Sequence, residues 1–179
     1  MKSIGAALIS LALVAAVVPE FSSYRAEHRL YAASALFRSI IAEGNAAAGQ
    51  TAMLDVVAES AMQAAEVLPN DARPLILAGS ARLVERRPAE ALALYRRALG
   101  IGERAEIDLN LGRAYALAGN QQAASVAVLR AVWVSPALIS ALPEQVQAPL
   151  KAALAENARR LGSHRLAAPP PLPEGDRFE

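Results

Sequence analysis

Residues 72–103, ARPLILAGSARLVERRPAEALALYRRALGIGE, lie over residues 105–136, AEIDLNLGRAYALAGNQQAASVAVLRAVWVSP, when the chain is shifted by 33 positions. Gly79 then falls on Gly112, Ala91 on Ala124, Tyr95 on Val128, Ala98 on Ala131 and Glu103 on Pro136. In both copies the glycine precedes the first alanine by twelve residues, and the second alanine follows seven later. Small residues at those distances suit two successive helices whose backbones cross closely, with Tyr95 or Tyr115 filling the space beside the contact. One such pair cannot bury its apolar face alone, so neighbouring pairs must stack and the end needs a cap. A shift of 34 backwards from the first copy puts Ala64 under Ala98 and Pro69 under Glu103. Residues 24–68 therefore read as a degenerate copy in which only the second helix matches.

Working outward, helix follows helix from Tyr24 to Leu161. Tyr24–Glu43 is amphipathic, with Leu30, Leu36, Phe37, Ile40 and Ile41 at helical spacing. Gly44, Asn45 and Gly49 break it, and Thr51 is the expected N-cap of a helix reaching Leu68. Asp71 is the expected N-cap of a helix from Ala72 to about Glu85, and Pro88 suits the first turn of the next, to Leu99. Gly100 and Gly102 separate that helix from one ending at Ala118, where Gly119 stands at a left-handed C-terminal position. Asn120 caps a helix to Val134, which Pro136 stops, and Pro143 opens a last helix to Leu161 with Gly162 as its cap. No segment alternates with period two for long enough to be a strand.

This pattern resembles the tetratricopeptide repeat (TPR), whose period is about 34 residues. The second copy carries it in Leu111, Gly112, Tyr115, Gly119, Asn120, Ala124, Ala131 and Pro136. The first carries it in Leu75, Ala78, Gly79, Ala91, Tyr95 and Ala98, and departs at Arg82, where an aromatic is usual, and at Glu103, where proline is usual. The resemblance covers residues 38–138. It implies an all-α fold: a short right-handed α-solenoid of TPR-like helical hairpins with a C-terminal capping helix. The competing reading is an Ala-rich helical bundle with coincidental spacing. The expected divisions are 1–19, a signal anchor or signal peptide; 20–71, a degenerate hairpin; 72–138, two repeats; 139–162, the cap; and 163–179, a Pro-rich disordered tail.

The resemblance also implies that the first helix of each pair lines a concave groove. Groove candidates are Arg73, Ile76, Leu77, Ser80 and Val84 from one helix, and Glu106, Leu109, Asn110, Arg113 and Leu117 from the next. Such a surface suits an amphipathic helix or an extended apolar segment, with Asn110 and Arg113 for partner backbone or a carboxylate. The alternative is self-burial, with Tyr24–Glu43 or the cap covering these residues. The dicarboxylate-clamp variety is not expected, because Ile76 and Ser80 stand where other clamp residues belong.

The N-terminus has one lysine, Lys2, before an uncharged run from Ile4 to Val18, closed by Pro19-Glu20. At about 1.5 Å per residue such a helix spans roughly 22 Å, short against a hydrocarbon core of roughly 30 Å. It reads as an uncleaved signal anchor or as a secretory signal, with Val14-Ala15-Ala16 as the cleavage site. At the other end, Pro169-Pro170-Pro171-Leu172-Pro173 reads as an extended spacer.

Composition excludes more than it assigns. The net charge of +1, from 18 basic and 17 acidic residues, offers no field for nucleic acid. There is no cysteine, so no disulfide, thiolate metal site or thiol nucleophile is available. The two histidines, His28 and His164, lack neighbours at metal-ligand spacing. No nucleophile elbow or phosphate loop is present. Gly100-Ile101-Gly102 reads as a turn, Glu59 and Glu66 as solvated helix-face charges, and Trp133 as a packing anchor.

The sequence thus predicts a non-catalytic protein–protein interaction module without cofactor, metal or small-molecule substrate. It would act as a scaffold or assembly factor in the cell envelope. Residues 4–18 would anchor it in the inner membrane facing the periplasm, or release it as a periplasmic protein if cleaved. The alternative is an obligate structural or accessory subunit of a membrane protein complex.

Overall fold

A computed structural model describes residues 2–43, 48–163 and 173, with only the backbone described for 2–19 and 48. Seven α-helices and one 3₁₀ helix follow one another, and no strand occurs among the described residues. They are α1 (Lys2–Glu43), α2 (Ala48–Val67), α3 (Ala72–Val84), α4 (Pro88–Ile101), α5 (Ala105–Leu117), α6 (Gln121–Val134), the 3₁₀ helix (Pro136–Ala141) and α7 (Glu144–Gly162). The fold is all-α, and each α-helix packs against its neighbour in the chain.

The four boundaries of α5 and α6 are those of α3 and α4 displaced by 33 residues. The turns between the helices repeat at the same displacement. The amide of Arg86 donates to Leu83 O and that of Arg87 to Arg82 O; Gly119 donates to Ala116 O and Asn120 to Tyr115 O. This double bond pattern is a Schellman C-cap. It requires a left-handed residue, which is Arg86 (φ 60°) in the first turn and Gly119 (φ 83°) in the second.

The glycines explain why each hairpin closes so tightly. A Cβ on Gly79 would lie 2.6 Å from Tyr95 Cε1, and one on Gly112 would lie 2.6 Å from Val128 Cγ2. Each glycine thus meets the residue sixteen positions later, and the two contacts are again 33 residues apart. Ala91, Ala98 and Ala131 have no exposed surface, and Ala124 has little.

Two cores share α3. Leu75 and Ile76 join Leu92, Tyr95, Leu99, Ile107 and Leu111 in the core of α3–α6. Leu77, Ala78 and Ala81 join Leu30, Ile40, Leu54 and Val57 in the core of α1–α3. Burial of each of the larger aliphatic side chains contributes about 1.5–3 kcal/mol. On α2 the buried positions Val57, Ala58, Ala61 and Ala64 match Ala91, Leu92, Tyr95 and Ala98 on α4 at the shift of 34.

Asp71 and Asn120 cap their helices as expected, accepting from the amides of Arg73 and Ala123. Other expectations are corrected. Pro19-Glu20 closes the uncharged run in the sequence but does not end the helix, because α1 is one helix of 42 residues. Thr51 is not an N-cap but lies inside α2, which starts at Ala48. Ile41 is exposed, because the buried stripe of α1 ends at Ile40. Gly100 lies within α4, and only Gly102 ends it. The expected cap is two elements: Pro136 starts the 3₁₀ helix, Pro143 precedes α7, and Gly162 is the last residue of α7 with Ser163 as C-cap. Trp133 is only half-buried. The side chains of the run 4–18, the Val14-Ala15-Ala16 site and all of the 163–179 tail except Ser163 and Pro173 lie outside the described residues. Among the described residues no helix is long and apolar enough to cross a membrane.

Candidate functional site

The groove candidates on α3 are engaged by their own chain. Ile76 and Leu77 are buried in the two cores. The Arg73 guanidinium donates to Glu27 Oε1 of α1 at 2.6 Å and to both carboxylate oxygens of Asp71. The two carboxylates keep that guanidinium charged at any ordinary pH, Asp71 more strongly than Glu27. The Ser80 hydroxyl donates to Ile76 O at 2.8 Å and lies 3.2 Å from the Tyr95 hydroxyl. Burial pushes that phenol up to about 12, so it stays protonated. Val84, at the end of α3, is exposed.

What remains of this surface is a cleft of about 380 Å³ between α1, α3 and the start of α5. Arg73, Ile76, Leu77 and Ser80 line it together with Phe37 and Arg38 of α1. Arg104 and Glu106, 4.0 Å apart, close its other side.

The α5 candidates divide differently. Leu109 and Arg113 line a second and larger groove of about 790 Å³, lying between the α5–α6 hairpin and the C-terminal elements. Its α5–α6 wall adds Gly112, Val128 and Leu129; its opposite wall is Leu142, Val146, Pro149, Leu150 and Ala153. Asn110 is buried behind this wall, and its Oδ1 accepts from Arg113 Nη1 at 3.1 Å. Leu117 is exposed and lines neither concavity. The ten groove candidates are therefore divided between two concavities, and Val84, Asn110 and Leu117 line neither.

The self-burial alternative pointed to the elements that form the two far walls, but sequence reasoning named none of their residues as lining a groove. Phe37 and Arg38 of α1 belong to the first. Val146, Pro149, Leu150 and Ala153 belong to the second, at the three-to-four spacing of an apolar helix stripe. No α7 residue is fully buried, so this helix faces the groove without closing it. Pro149 lies inside α7 and lacks the amide that would bond one turn back.

The departures from the repeat pattern carry ion pairs. Arg82, in the place of an aromatic, bridges Asp55 of α2, Glu85 at 2.7 Å and, at 3.6 Å, Glu90 of α4. Glu103, in the place of proline, pairs with Arg130 of α6 through both carboxylate oxygens. That hydrogen bond holds the Glu103 carboxyl below its ordinary range against partial burial. These are structural ties between helices rather than convergent reactive groups. Glu59, Glu66 and His28 are exposed, and His164 lies outside the described residues. Among the described residues no group of three metal-binding side chains comes together.

No protein-family model matches the chain, and no curated protein or solved structure matches it.

Proposed function

We propose that this chain is a protein-interaction module built as a short right-handed α-solenoid of TPR-like hairpins, and that its partner docks between α5–α6 and α7. The equal displacement of helices, turns and glycine contacts supports the repeat reading. The observation that carries the function is the groove of about 790 Å³, walled by Leu109, Val128, Leu129, Val146 and Leu150, beside a helix with no buried residue. Its lining is chiefly apolar, with Arg113 and Gln121 at hand for partner carbonyls or a carboxylate. That composition fits one apolar face of a helix or an extended apolar segment. The run 4–18 supports an envelope location with the module tethered at the membrane.

The test is site-specific photo-crosslinking in the full-length protein. A photoreactive residue at Leu129 or Leu150 should capture a discrete protein, while one at Glu59, on the exposed face of α2, should not. Leu109→Glu should abolish the crosslink from Leu150 while leaving helicity intact. Equal capture from all three positions, or capture from Glu59 alone, refutes the groove.

A further inference from the structure

The chain has only eight aromatic side chains: one Trp, four Tyr and three Phe. Three of them stand exposed on one helix. Phe21, Tyr24 and Tyr31 of α1 are 59%, 67% and 70% exposed, and exposed His28 falls between them. The spacing is three, four, three. At about 100° per residue those four positions form one narrow stripe. The buried residues of α1, Ala26, Leu30, Ala33 and Ile40, fall on the opposite side of the same helix. They pack against α2 and α3. The helix therefore has two apolar faces, and the fold covers one.

We propose that the uncovered face joins two copies of this chain through a parallel coiled coil of their α1 helices. Three-four spacing is the seam of such a coil. With Phe21 and His28 at a positions and Tyr24 and Tyr31 at d positions, each residue meets its own copy across the two-fold axis. Ring stacks at those levels add to area burial.

Charge selects a second copy over a different partner. In this register Glu20 is a g residue and Arg25 is the e residue of the next heptad. A parallel pair sets g of one helix against the following e of the other. Glu20 thus faces Arg25 of the second copy, and the two-fold axis repeats the pair. The surface is self-complementary, as an isologous interface requires. The Arg25 guanidinium lies 5.8 Å from the centroid of its own Phe21 ring, at the edge of the proposed seam. In the sequence the spacing extends upstream through Val17 and Val14 and downstream to Ala35, and Arg38 occupies the next d position and ends it. The folded modules lie on the far side of each helix, so nothing described obstructs the approach.

The natural chain has no cysteine, so single substitutions report cleanly. Tyr24→Cys and Tyr31→Cys, on the stripe, and Arg29→Cys, off it, are compared in the full-length protein in mild detergent under gentle oxidation. Tyr24→Cys and Tyr31→Cys should each yield disulfide-linked dimers, and Arg29→Cys should not. Sedimentation equilibrium of the cysteine-free protein should show a dimer. The triple variant Phe21→Glu, Tyr24→Glu, Tyr31→Glu should weaken it at least about tenfold with unchanged far-UV helicity, since three stacked levels are lost. A monomer at micromolar concentration overturns the proposal, as does equal crosslinking at all three positions. Quenching of the tyrosines by brominated lipid in a monomeric chain assigns the stripe to the bilayer surface and also overturns it.

Discussion

Gly79→Ala adds a single methyl group at the crossing of α3 and α4, and its effect follows from two opposed terms. Replacing glycine by alanine inside a helix gains about 1 kcal/mol from backbone entropy and propensity. Against this, the new Cβ would lie 2.6, 2.9 and 3.0 Å from Cε1, Cζ and Cδ1 of Tyr95. That ring has no exposed surface, and its hydroxyl is paired with Ser80, so it has nowhere to retreat. Overpacking of this kind costs up to about 3 kcal/mol. The net loss is about 2 kcal/mol, or a fall of roughly 4–8 °C in Tm for a domain of this size. Gly112→Ala supplies the control. Its Cβ would meet Val128 Cγ2 at 2.6 Å, but Val128 borders the open groove and can turn into it. The two terms then nearly cancel, and the change stays within about 1 kcal/mol. Urea unfolding followed by circular dichroism, with unchanged m-values, measures both. If Gly79→Ala is as stable as the parent, α3 and α4 do not touch through Gly79 and Tyr95.

Four further changes probe the turns and ion pairs. Arg86→Gly should stabilise the protein by about 0.5–1 kcal/mol in the same assay, because Arg86 holds the left-handed conformation that glycine supplies in the next repeat. Arg82→Met should cost about 2 kcal/mol. It removes the nearer partner of Glu85, whose side chain is 2% exposed, and leaves Arg87 at 3.4 Å. Asp55→Asn, at the exposed end of the same network, should cost less than Arg82→Met in the same assay. Glu103 gives a pH signature. Its folded carboxyl lies below its ordinary value of 4.5, so its contribution is full above that pH and is lost as pH falls through the folded value. Glu103→Gln should therefore lose less stability than the parent between pH 5 and pH 3, as read by urea midpoints; parallel curves would refute the pairing.

The hairpin pair was legible because its signals are local and stereochemically strict. Asp71, Asn120, Gly119 and Pro88 each satisfy a backbone requirement of a helix end, and each does so where expected. The glycine–alanine spacing was legible because two backbones cannot cross at that distance past a larger side chain. Where the reading failed, a local signal was overridden. Pro19 suggested a stop, yet α1 continues through it. Thr51 suggested a start, yet the three residues before it are already helical. Arg82 and Glu103 looked like flaws in a repeat, but each pairs with a charge 27 residues away, a distance no local pattern reveals.

The site was less legible, because a resemblance to a long array says where a groove would run but not what the ends of a short chain do to it. At one end α1 packs chiefly on α2, contributes buried Leu30, Ala33 and Ile40 to the core that α2 and α3 complete, and pairs Glu27 with Arg73. At the other end Pro136 and Pro143 turn the chain so that α7 presents Val146, Leu150 and Ala153 to the α5–α6 surface without burying any of them. A ligand entering at α3 must separate an ion pair and reach past a packed helix. One entering beside α7 displaces no buried side chain there and can use the wall already standing opposite Leu109 and Val128. The energetic cost of opening therefore favours the α7 groove, although the repeat pattern alone treats the two positions as equivalent.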